Sequence, residues 1–151
     1  MYKIISKLSV LMLLAIVIVA CGKEERDSEA PTMEIMKPLE GDTFTFGQPV
    51  LFTGQFFDNE TLKDCEIVLT YNGAEKSAVL KGLESPWEAV NRGDAILFTA
   101  EELTSAMRED LQLFGEAVPI CLSGSYTITF ITSDLAGNKT EESVDINIAL
   151  D

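Results

Sequence analysis

The chain has 151 residues, 25 acidic against 11 basic side chains, no histidine and a formal net charge of −14. That balance argues against nucleic acid or an anionic membrane surface as partner, because both need a cationic face. It leaves cationic ligands, calcium, neutral glycans or proteins as partners, beside plain solubility as the reason for the charge. Lacking imidazole, the chain has no Ser-His-Asp or Cys-His catalysis and none of the usual zinc ligand sets. The scattered glycines form no phosphate-binding loop. A carboxylate pair is the remaining enzymatic route, but it must face across a cleft at a set separation, which a small domain rarely provides. The expectation is a chain that is not an enzyme.

At the amino terminus, Lys3 and Lys7 flank a start that leads into an aliphatic run from Leu8 to Ala20, broken only by Ser9. A basic start, an apolar stretch too short to span a bilayer and small residues before Cys21 predict a secretory signal peptide over 1–20. Ile18-Val19-Ala20-Cys21 resembles the lipobox of bacterial lipoproteins, which implies lipidation at Cys21. Several acyl chains anchor stably where one is marginal. Gly22-Lys23-Glu24-Glu25 resembles the surface-export signal of Bacteroidota lipoproteins. It implies an outer-membrane lipoprotein facing the cell surface, with the periplasmic face as the alternative.

Removing the first 20 residues takes two lysines and no acid, which leaves 9 basic against 25 acidic side chains and a formal charge of −16. Residues 21–31 read as the lipidated cysteine and an acidic tether, since 22–31 contain no large apolar side chain. Residues 32–151 then make one domain, long enough for a core and without internal repeats.

The domain reads mostly as strands. Thr32–Lys37 is a short apolar stretch followed by the turn Glu40-Gly41-Asp42. Over 50–57, Val50, Phe52, Gly54 and Phe56 alternate with Leu51, Thr53, Gln55 and Phe57. Cys65, Ile67, Leu69 and Tyr71 alternate with Glu66, Val68, Thr70 and Asn72, and Asn72-Gly73 signals a tight turn with 74–80 returning as hairpin partner. Tyr126, Ile128, Phe130 and Thr132 give the next strand; Val144, Ile146, Ile148 and Leu150 give the last. Period-two runs split by turn clusters predict an all-β antiparallel sandwich. One segment departs. Thr99 with Glu102 matches a capping box, and Leu103, Ala106, Met107, Leu111 and Phe114 fall on one helical face, with Gly115 just beyond. This predicts one inserted amphipathic helix over about 100–114, packed on the sandwich or recruiting a partner.

Pro31-Thr32-Met33-Glu34-Ile35, Pro38-Leu39-Glu40-Gly41-Asp42, Phe46-Gly47, Phe52, Asp58 and Leu62 resemble the first half of immunoglobulin-like domains in bacterial surface lipoproteins. Residues 124–130 and Asp134-Leu135-Ala136-Gly137-Asn138 resemble their penultimate strand and final hairpin. The chain is similar to the uncharacterised immunoglobulin-like lipoproteins of Bacteroidota, some of them described as adhesion proteins, over roughly 31–72 and 118–150. It departs in the middle, where the helix is expected. It also lacks the histidines that such relatives carry near the middle strands, so no metal role tied to those histidines carries over.

Three features are candidates for chemistry. With Cys21 lipidated, Cys65 and Cys121 remain as an even pair in an exported domain and are the candidates for a disulfide across the sandwich, against two buried thiols. Asp58, Asn59 and Glu60, with Asp64 soon after, lie in one loop; Asp134 and Asn138 lie in the final hairpin loop. An immunoglobulin-like topology puts both loops at one end. That gathers hard oxygen donors suited to calcium, although Asp, Asn and Gly are also the ordinary turn residues. Trp87, the only tryptophan, is the candidate for a sugar or protein contact, against a plug at the core's edge.

Three roles compete. One is a non-catalytic, lipid-anchored cell-surface binding or adhesion module. The second is a structural or accessory subunit of an envelope complex, docking through the helix or a sheet edge. The third is a carbohydrate-binding lipoprotein.

Overall fold

The structure is a computed structural model and describes residues 26–73, 85–89 and 96–150. The signal peptide, lipidation at Cys21, export signal and return strand over 74–80 expected from the sequence all lie outside these residues. Among the described residues, eight strands follow one another: β1 (Thr32–Lys37), β2 (Thr43–Thr45), β3 (Leu51–Phe57), β4 (Leu62–Gly73), β5 (Ile96–Leu97), β6 (Ser105–Gln112), β7 (Gly124–Asp134) and β8 (Lys139–Ala149). They build a three-stranded sheet ordered β1-β3-β6 and a five-stranded sheet ordered β2-β8-β7-β4-β5. All pairings are antiparallel except β2 with β8. This is an immunoglobulin-like β-sandwich. The first strand lies on one sheet, and after Pro38 the chain crosses to the edge of the other.

The alternation seen along the sequence becomes the two faces of each sheet. Phe52 and Phe56 of β3 meet Ile67 and Leu69 of β4, Tyr126, Ile128 and Phe130 of β7, and Ile146 and Ile148 of β8 in a continuous buried core. Phe52 is the junction between the sheets. Its ring centroid lies 5.0 Å from Phe130 on the opposite sheet and 5.7 Å from Phe56 on its own strand. At the end of the core, Tyr71 packs at a tilt against Tyr126 with centroids 5.0 Å apart, and Trp87 meets Phe114 edge-on at 5.1 Å.

Tyr126 ties that end together. Its hydroxyl donates to the Leu122 carbonyl at 2.5 Å and accepts from the Trp87 N–H at 3.2 Å. A tyrosine near the start of the penultimate strand, bonded to backbone a few residues upstream, is the tyrosine corner of immunoglobulin-like sandwiches. Tyr126→Phe leaves a buried N–H and a carbonyl without this partner, so urea denaturation should show a loss of about 1–3 kcal/mol.

The inserted helix expected over 100–114 does not form. The capping signal is real, since the Thr99 N–H donates to Glu102 Oε2 at 3.0 Å and the Glu102 N–H to the Thr99 carbonyl at 2.9 Å. It closes only a 3-10 turn over Ala100–Glu102, after which the chain extends as β6 along β3. Ala, Met, Arg, Glu, Leu and Gln favour a helix only by tenths of a kcal/mol each. Pairing with an otherwise open edge of β3 outweighs that preference. Of the apolar face expected for the helix, only Ala106 and Phe114 are buried, while Leu103, Met107 and Leu111 are exposed.

Behind that turn, Arg108 forks onto Glu102 with contacts of 2.7 and 3.1 Å, its guanidinium 5.5 Å from the Phe98 ring centre. The hydrogen bonds from Arg108, then that from the Thr99 N–H, hold the Glu102 carboxyl down at about 2. A folded-state pKa below the ordinary value means stability that is present above about pH 4.5 and is lost as pH falls toward about 2. The gap in melting temperature between wild type and Glu102→Gln should therefore narrow across that window and be flat above it.

The disulfide expected between Cys65 and Cys121 is not formed, and both residues are buried. Cys65 pairs with Thr132 of β7, whereas Cys121 precedes that strand and lies against the Tyr126 hydroxyl. The strand between positions 126 and 132 spans about 20 Å, far beyond the roughly 7 Å between Cα atoms that a bridge allows. Burial pushes the Cys65 thiol up to about 11, which makes it an unreactive core residue.

Candidate functional site

The site lies at the end of the sandwich where the chain enters. Three segments meet there: residues 26–31 ahead of β1, the β3–β4 loop and the β7–β8 loop. The Leu135 N–H donates to the Thr61 carbonyl at 2.9 Å and joins the two loops. Arg26 donates to the Ala136 carbonyl at 2.7 Å, and Thr140 to the Pro31 carbonyl at 2.5 Å, so the entering segment is bound to the same end.

Each segment delivers one carboxylate through turn chemistry. Asp58 Oδ2 accepts from the N–H groups of Glu60 and Thr61 at 3.1 and 2.5 Å and closes the β3–β4 turn. Asp134 ends β7. Its Oδ1 accepts from the N–H groups of Gly137 and Asn138 at 2.6 and 2.8 Å, and its Oδ2 from Asn138 Nδ2 at 2.7 Å. Gly137 has φ +95°, a conformation that L side chains rarely adopt, and so permits this turn. Asp27 Oδ1 accepts from Asn59 Nδ2 and from the Glu29 N–H, both at 3.0 Å. Those two hydrogen bonds, Asn59's first, hold the Asp27 carboxyl below the usual carboxylate range.

One ligand oxygen from each of Asp27, Asp58 and Asp134 lies within 4.8 Å of the others. Asp134 is only 1% exposed. Asp27 Oδ2 and Asp58 Oδ1 are closed to solvent and accept no hydrogen bond among the described residues. Buried carboxylate oxygens without partners are rare, because they lose hydration with nothing in exchange. An arrangement of oxygens only, all from carboxylates, suits a hard cation.

Of the residues singled out in the sequence, Asp58 and Asp134 come together here. Asn59 and Asn138 stand behind them and orient the carboxylates through their Nδ2 groups; Asn138 also donates to the Asp27 and Glu29 carbonyls at 3.3 and 2.9 Å. Glu60 contributes its N–H and keeps its side chain exposed. Asp64 turns away to Ser133 and Lys63. The third carboxylate, Asp27, sits in what the sequence presents as tether, and nothing in that composition marks it. Trp87, the candidate for ligand contact, is 5% exposed. It packs on Phe114 as a plug of the core and offers no face for stacking.

The family model described as "Domain of unknown function (DUF4625)" matches residues 19–149. No curated protein matches the chain. Among solved structures it is similar to murine CRIg, at 12% identity and a TM-score of 0.32, with 80% of this chain and 98% of that chain covered.

Proposed function

The chain belongs to the DUF4625 family, and for it we propose a non-catalytic binding or adhesion module, lipid-anchored through Cys21 and displayed on the cell surface. One observation carries the reading: the tether is fastened to a single end of the sandwich. Arg26, Asn138 and Thr140 hold residues 26–31 there. Cys21 stands six residues ahead of Asp27, at most about 20 Å of extended chain. An anchor at Cys21 therefore keeps the acidic end near the membrane, and β4, β6 and β8 all start at that end and run away from it. The 11 residues of β8 carry the far end roughly 35 Å outward.

At that far end, the loop after β2 and the loop before β7 are hydrogen-bonded to each other, Gly47 to Val118 and Val118 to Gln48, at 2.8 and 2.9 Å. Loops held on a rigid sandwich and turned away from the anchor are where binding residues concentrate. The carbohydrate alternative has no support from Trp87, whose burial removes its stacking face.

Protease treatment of intact cells, with a periplasmic protein as control, tests the display. Cleavage of the domain while the control survives is the expected result. Protection until the outer membrane is opened overturns surface display and favours the accessory subunit of an envelope complex.

A further inference from the structure

We infer that Asp27, Asp58 and Asp134 bind one calcium ion, and that this ion pins the tether to the sandwich. The inference goes beyond the surface-module reading and does not depend on it, except where the position of the anchor is invoked.

Three separate stretches of chain bring carboxylate oxygens within 4.8 Å of one another. Among the described residues no cation answers them. The ion pairs join Lys37 to Asp110, Lys63 to Asp64 and Arg108 to Glu102, and Arg26 is turned to a carbonyl. Three uncompensated acids this close repel one another, and they are held together by backbone and asparagine donors alone.

The second observation is the pair of bare oxygens. Asp27 and Asp58 each have one oxygen fixed by two hydrogen bonds and the other shielded from solvent without a partner. Asp134 accepts three hydrogen bonds, and a carboxylate has about four lone-pair sites, which leaves one. Each acid is thus oriented by one set of contacts and retains an acceptor for something else.

The spacing identifies the class of ion. Two oxygens that share a calcium at about 2.4 Å stand no more than about 4.8 Å apart, and this cluster falls within that limit. The donor set contains no nitrogen or sulfur, which excludes a zinc-type site. Irregular loops from three parts of the chain adapt to calcium's variable coordination more readily than to the strict octahedron of magnesium.

Asp27 gives the ion its role. It is the one donor carried by the tether, while Asp58 and Asp134 belong to loops of the sandwich. With the ion bound, free chain ends at Asp27, six residues after Cys21 and within about 20 Å of it. Without the ion, repulsion weakens the hold on Asp27 and leaves 26–31 to the hydrogen bonds of Arg26, Asn59, Asn138 and Thr140. Each opening of these frees chain as far as Pro31, ten residues after Cys21, or about 35 Å. Calcium therefore suppresses the openings that would nearly double the reach of an anchored domain.

Calorimetric titration of the full-length protein in detergent, stripped with chelator and then given calcium chloride, tests both parts. The same samples are followed by hydrogen exchange over residues 26–31, and magnesium chloride serves as the comparison. Wild type should bind one calcium ion, with slower exchange at 26–31. Asp58→Asn should abolish binding and Asp27→Asn should weaken it at least tenfold. Asp58 is chosen over the more buried Asp134 so that loss of binding is read on a folded protein. Absence of calcium binding at millimolar concentration overturns the site. Calcium binding that Asp27→Asn leaves unchanged, with exchange at 26–31 also unchanged, overturns the clamp. Equal affinity for magnesium overturns the assignment to calcium. None of these outcomes alters the protease result, so failure here is separable from failure of surface display.

Discussion

Phe52→Ala should remove about 3–5 kcal/mol of stability and lower the melting temperature by roughly 12–20 °C, the span expected for a large aromatic deleted from a closed core. Phe52 is wholly buried, and its ring is the contact between β3 and Phe130 on the other sheet. Its loss opens a cavity where the two layers meet. Neighbouring strands are hydrogen-bonded into their sheets and cannot slide inward to fill it. Thermal and urea unfolding of the purified domain measure the effect; a change under 1 kcal/mol would mean that the layers are not held together at this point.

The second large effect comes from adding atoms. Gly54 lies inward on β3, and a methyl group there would stand 2.5 Å from Phe52 Cζ and 2.7 Å from the Glu34 carbonyl oxygen. The first contact is with a wholly buried ring already packed against Phe56 and Phe130. The second is with the backbone of β1, which pairs with this strand and cannot withdraw without loosening that pairing. Gly54→Ala should therefore cost about 3 kcal/mol, at the upper end for overpacking. The two substitutions share a contact, so they should not add. Phe52→Ala removes the ring but not the Glu34 carbonyl, and the double variant should fall short of the summed losses while remaining less stable than either single one. Equilibrium unfolding of all four proteins completes the cycle.

Much of this architecture is legible in the sequence because most strands bury one face only. Val144, Ile146 and Ile148 are buried between exposed or half-buried neighbours, and alternation of that kind has one simple reading. The short strands β2 and β5 carry too few residues to show a period. Residues 105–112 mislead for a different reason. Their local signals favour a helix, and a capping box precedes them, but pairing to β3 is a property of the folded sheet that no local window contains.

The acidic end is half legible. Asp58 and Asp134 stand out as turn residues in loops that an immunoglobulin-like order places together. Asp27 does not stand out, because its companion is Asn59, 32 positions away, in a segment whose composition reads as solvated chain. The cysteines fail as a pair for a related reason. Their number suggests a bridge, while only the folded chain reveals that Cys65 lies opposite Thr132 and Cys121 near Tyr126, six positions away along β7.

The crossing of the chain after β1 has a mechanical consequence. β1 lies against β3 in one layer, and β2 lies beside β8 in the other, so the first stretch of the domain grips both layers before the core strands begin. Hydrogen bonds between strands run across the strand direction. A pull applied between the tether and the far end acts along the strands, so the bonds of β1, and then those of β2, bear the load together instead of opening one after another. A domain fastened at this end is strongest along the axis on which an anchored module holding a partner would be drawn.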